Sequence, residues 1–205
     1  MTLDLHAILI LGVGTLVYGL VVPGRFRGWV LLVASLVAIY WLQPPLPIRH
    51  SDFILPTATI VLAVAGWWWT RPPGSARLPA RTDRAALGAA GAVVLVLSLS
   101  RYVQFPVDLV ASRPPDTLLV AMALVAAIAL VAALRVPIAR RPRPGLWVAV
   151  LTVVALLTVL KAAGLAELVA GWWRDATGRD PDLASPADLG WLGFSYVAFR
   201  LIHTF

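Results

Sequence analysis

Residues 117–134, TLLVAMALVAAIALVAAL, run for eighteen positions without a charged side chain. No other feature limits the fold so tightly. As a helix rising 1.5 Å per residue the stretch is about 27 Å long, close to the roughly 30 Å hydrocarbon core of a bilayer. It reads as a transmembrane helix.

Composition extends that reading to the whole chain. Hydrophobic residues make up 60% and charged residues only 13%, with a mean hydropathy of +0.85. Soluble domains carry about a quarter charged residues, so a water-facing surface cannot be assembled here. Tryptophan suits the bilayer interface, and three consecutive indoles stand at Trp67, Trp68 and Trp69. The net charge of +7 would suggest nucleic acid in a soluble protein. Here most of the arginines sit in short loops between apolar runs and are not interleaved with exposed aromatics, so the expected partner is the lipid bilayer and not nucleic acid. The absence of cysteine excludes disulfides, thiolate-bound metals and a thiol nucleophile. The N-terminal MTLDLH lacks the basic start of a signal peptide, so the first apolar run is expected to be retained.

Six spans are expected, at Leu5–Val22, Gly28–Leu42, Phe53–Thr70, Ala85–Ser100, Thr117–Leu134 and Leu146–Leu160. Helix-breaking prolines fall between them, and Pro56 is placed in the first turn of the third. Counted in order from the N-terminus, the flanking segments hold 0, 2, 1, 4, 2, 4 and 3 Lys or Arg. The compact arginine-rich segments thus alternate onto one side, which the positive-inside rule makes cytoplasmic. The expected fold is all-α, a multi-pass bundle in the cell membrane with its N-terminus outside. Residues 1–160 form the six-span bundle. Residues 161–190 form an external acidic loop in which LAELVAGWW is an interfacial amphipathic helix carrying Glu167. Residues 191–205 begin a seventh apolar helix, about 22 Å long and too short to cross the core alone.

Ionisable groups at membrane depth are functional by default. Lys161 ends the sixth span, where a long side chain snorkels to the interface. Arg200 and His203 differ, because they lie three apart on one helix face well inside the last apolar run. For His203 the ordinary role is a hydrogen bond within the bundle. The sharper roles are substrate contact or axial ligation of a haem or chlorophyll, although His6 and His50 near span ends make a poor second haem ligand. No carboxylate pair, metal cluster, phosphate loop or Ser-His-Asp set stands out, and the cofactor is unknown. Gly88 and Gly91 among alanines read as a close helix-packing site.

The closing segment resembles a motif of the membrane-bound O-acyltransferase family. It stands as Leu192-Gly193-Phe194-Ser195-Tyr196, followed by Phe199, Ile202 and Phe205, with Trp191 where the family pattern has proline. The resemblance implies a front half of a protein that moves an acyl group from a thioester to a hydroxyl. The family's invariant histidine lies far downstream of this motif, and His203 does not match it. No catalytic residue is therefore assigned, and the chain by itself is not expected to be an enzyme. Ser195, Tyr196, Arg200 and His203 are the candidate buried polar contacts. A non-enzymatic subunit packed against other membrane proteins, as in a photosynthetic or respiratory complex, is the open alternative.

Overall fold

The computed structural model describes residues 5–70, 80–103, 109–140 and 142–204, with the side chains of 5–8, 11, 135–140, 142–146 and 204 left aside. Eight α-helices make up the described residues, with no strand among them. They are α1 (Leu5–Val21), α2 (Arg27–Trp41), α3 (Ser51–Trp69), α4 (Arg81–Ser98), α5 (Thr117–Arg140), α6 (Pro142–Lys161), α7 (Ala163–Ala176) and α8 (Phe194–Thr204).

Three helical segments are long and apolar enough to cross a membrane: α3, α4 continued by a 3-10 turn to Arg101, and the Thr117–Leu134 part of α5. A fourth arises if α6 and α7, bent by 93° at their junction, count as one broken span. At 17 and 15 residues, α1 and α2 come to about 26 and 23 Å. The loop bearing Arg71 and Arg77, and the side chains of Arg135, Arg140, Arg141 and Arg143, fall outside the described residues.

The core forms where α2, α3, α4 and α5 meet. Tyr40, Phe53, Val94, Leu97 and Val120 pack together there, and the Tyr40 and Phe53 rings lie 5.1 Å apart. The Tyr40 hydroxyl sits 2.7 Å from Thr57 Oγ1, so its polar end is satisfied inside the bundle. A second cluster joins α6 to α8 through Val153, Phe194, Ala198 and Leu201. By contrast α1 meets the other helices, among the described residues, mainly at its C-terminal end, where Arg27 of α2 donates to Gly19 O and Val22 O, and Leu16 and Leu20 point away from the chain. An apolar helix surface of that kind is at home in lipid.

Two local expectations change. Helix α3 starts at Ser51, so Pro56 lies in its second turn and not its first. Lacking an N–H, Pro56 leaves the carbonyl of Asp52 without its intrahelical donor. The helix begins early because His50 adopts a left-handed φ of 65° and Ser51 Oγ donates to Ile48 O at 2.6 Å, turning the chain sharply before the first turn. In α4, a Cβ built on Gly88 or Gly91 would meet nothing within 4 Å, so these glycines admit no close neighbour. Helix α5, Ala-rich over Thr117–Leu134, is exposed along most of that length.

Residues 161–190 are folded and not loose. Helix α7 buries Ala166, Ala170 and Arg174, while Leu168, Trp172 and Glu167 face outward. Beyond it the chain makes 3-10 turns at Pro181–Leu183 and Pro186–Leu189, and Ser185 caps the second in a reciprocal capping box with Asp188. Arg174 grips the Asp188 carboxylate in a two-pronged, buried ion pair, Nε on Oδ2 and Nη2 on Oδ1 at 3.0 Å. The guanidinium first, and the Ser185 N–H with it, hold the Asp188 carboxyl below the usual carboxylate range. Removing one partner strands a buried charge. Asp188→Ala is thus expected to open the segment and raise its trypsin cleavage at Arg179 on the order of tenfold, through local unfolding. Unchanged cleavage kinetics in detergent would show that the pair does not hold the loop.

Candidate functional site

The motif segment is built into the bundle from its first residue. Gln43, just past α2 and 2% exposed, donates from Nε2 to Gly190 O at 2.7 Å and accepts the Leu192 N–H on Oε1 at 3.1 Å. Trp191 donates its indole N–H to Thr59 Oγ1 in α3 at 2.7 Å and packs on Phe194 with ring centres 4.3 Å apart. Trp191 therefore has a specific role here, pinning the segment to α3. Gly193 follows with φ 76°, a left-handed conformation that favours glycine. From it α8 runs between α3 and α6, burying Phe194, Ala198 and Leu201.

The other face of α8 carries the polar candidates. Ser195 is half-buried, but Tyr196, Arg200 and His203 are exposed, with Phe199 between them. Where buried contacts are expected, α8 holds the side chains of all three exposed within the described residues. The helix has one apolar face wide enough for α3 and α6, and the spacing 196, 199/200, 203 puts the polar stripe on the opposite one. His50 lies elsewhere, at the start of α3, and no group of three His, Asp or Glu gathers among the described residues.

What the structure does bring together was counted in the sequence only as separate loop charges. Arg49 and His50 before α3, Arg101 after α4, Arg113 before α5 and Arg179 after α7 line one cavity of about 260 Å³. All come from the loops that alternate opposite the arginine-rich set, so the helix order carries them to one end of the bundle. Their backbone is well anchored. Ile48 is fully buried, and Arg101 Nη1 donates to Pro114 O at 2.8 Å. His50 Nδ1 lies 3.1 Å from Arg113 O, and since a carbonyl only accepts, that nitrogen carries the proton. Asp116 caps α5 by accepting the Leu118 N–H at 2.9 Å and also takes the Tyr102 hydroxyl at 2.6 Å, which together lower its carboxyl pKa, the hydroxyl most.

The charges leave a mark on His50. Burial lowers its pKa, and Arg49 and Arg101 push the same way, against the Arg113 carbonyl and Asp52, which favour the charged ring. Asp52 itself is buried in the first turn of α3, where the helix dipole favours an anion, and neither carboxylate oxygen is hydrogen-bonded among the described residues. A second cavity, apolar throughout, lies between α3, α4 and α5 and is lined by Ile60, Val64, Leu87, Leu124 and Ile128. Its composition suits a hydrocarbon chain.

No family model, curated protein or solved structure matches the chain.

Proposed function

We propose that the chain is a multi-pass protein of the cell membrane, with six spans, a short seventh and an external N-terminus, that forms the front half of an O-acyltransferase-like machine whose reaction centre is supplied by residues outside these. One observation carries the reading: the stripe Tyr196, Phe199, Arg200, His203 on α8 is exposed while the helix itself is clamped in the bundle. A charged side chain facing lipid near mid-membrane costs at least about 2.5–3.5 kcal/mol on insertion scales. A stripe with such residues is better matched to a further protein surface than to acyl chains. The family resemblance of the same segment supplies the class of that surface, an acyl-transfer core. The alternation of arginine along the loops supports the orientation, with the Arg77 and Arg140 segments cytoplasmic.

A second reading is a non-enzymatic subunit of a larger membrane complex. The apolar α1, standing off the bundle, favours it as an additional contact surface.

The chain contains no cysteine, so single introduced cysteines report without background. Cysteine at 77 or 140 is expected to resist an impermeant maleimide in intact cells, and cysteine at 179 to react. A photoreactive residue at Tyr196 is expected to yield a protein adduct. An adduct with an acyl-transferring polypeptide selects the first reading, and an adduct with a subunit lacking that activity selects the second. Labelling of 77 and 140 on opposite faces, or adducts with lipid alone, would overturn both.

A further inference from the structure

The geometry points to the cavity between Arg49, Arg101, Arg113 and Arg179 as a binding site for a phosphate-type oxyanion, at the end of the bundle where the third and fifth helices begin. Four arginines from three separate connections line a cavity of about 260 Å³, and no acidic side chain is among the lining residues. Like charges brought together in this way repel, weakly where water screens them, and a bound anion would offset that repulsion. Among the described residues, no nearby acid forms an ion pair with them. Asp116 is engaged with Tyr102 and the Leu118 N–H, Asp180 accepts the Asp182 N–H, and Asp52 is buried outside the lining. None of the four arginines makes an ion pair with an acid among the described residues, in contrast to Arg174, which is fully committed to Asp188.

The residue type narrows the ligand. All four cations are arginine, whose planar fork matches the oxygens of phosphate two at a time, where lysine offers only a point charge. The cavity volume suits a head group and not a whole lipid or a polymer, and no Phe, Tyr or Trp stands among its lining residues as a platform for a base. Leu46, Pro47 and Ile48 form an apolar flank beside the charges. A phosphate ester fits that combination, its oxygens on the guanidinium groups and its ester carbon against the flank. This assignment stands on the cavity and is independent of the acyltransferase reading.

Free phosphate and a phospholipid head group share this chemistry, and the test separates them. The full chain, purified in neutral detergent, is titrated with inorganic phosphate against sodium chloride of equal ionic strength, reading the thermal unfolding midpoint. In parallel it is mixed with phosphatidic acid or phosphatidylcholine, and retained lipid is read by native mass spectrometry. Stabilisation by phosphate identifies a soluble source, and selective retention of phosphatidic acid identifies a lipid source. In either case Arg49→Gln and Arg113→Gln are each expected to weaken binding roughly tenfold, with Arg113→Lys falling between, because each glutamine removes a charged hydrogen-bond partner of the anion while lysine keeps the charge without the fork. Both variants alter exposed side chains, and an unchanged midpoint without ligand verifies that they fold. If neither probe binds, or if binding survives both substitutions undiminished, the site is not there.

Discussion

Gln43→Leu is expected to destabilise the folded chain by about 2–6 kcal/mol, since it orphans two part-buried backbone groups at about 1–3 kcal/mol each. The substitution keeps the volume of the side chain and adds apolar surface, so packing alone predicts little change. What it removes is the pair of bonds to Gly190 O and Leu192 N. Both groups lie where the chain enters α8, and neither can turn to water without undocking the helix. Gln43→Glu provides the control, because a carboxylate can still accept from Leu192 but offers Gly190 no donor. It is expected to fall on the unstable side of wild type as well, with repulsion from the Gly190 carbonyl added. The measurement is the denaturant or thermal midpoint in detergent, together with protease sensitivity of the 190–193 segment. A loss below about 1 kcal/mol would mean that water replaces both contacts and that the amide is not a clamp.

Phe194→Ala is expected to cost about 2–4 kcal/mol. In water much of such a loss is the transfer of apolar surface, but lipid is as apolar as the bundle and that part shrinks. The remaining cost is the cavity left against Val153, Ala198, Leu201 and the Trp191 ring, whose lost dispersion contacts nothing refills. Phe199→Ala is the matched comparison. It removes the same atoms from the same helix, five residues on, but from a side chain 57% exposed. Its cost is expected to stay within about 0.5 kcal/mol. Equal losses for the two would show that α8 is not seated on α3 and α6 by this face.

The positions of the helices were legible because they rest on local properties. The apolar runs at Gly28–Leu42, Phe53–Thr70 and Thr117–Leu134 each coincide with a helix whose ends differ by at most six residues. The errors lie where a single residue was read without its neighbours. Pro56 looked like a first-turn proline until the His50 turn placed the helix start at Ser51. Gly88 and Gly91 looked like a packing site, yet small residues permit a close approach without compelling one, and no helix takes it up. For α8, spacing alone grouped Arg200 with His203 correctly but could not say which way their shared face turns. That depended on Phe194, Ala198 and Leu201 forming the better apolar face.

The candidate site was the least readable part. Arg49, Arg101, Arg113 and Arg179 span 130 positions, and each alone is an ordinary loop arginine. Nothing in their local pattern distinguishes them from Arg25 or Arg81. By itself the chain determined its helices and how apolar they are, since hydropathy and hydrogen bonds four residues apart are set within one segment. Only the tertiary structure decided that Gln43 meets Gly190 across 147 positions and that four arginines share one cavity. Those meetings depend on how rigid helices stack, and stacking is settled by side-chain shape at contacts far apart in the chain.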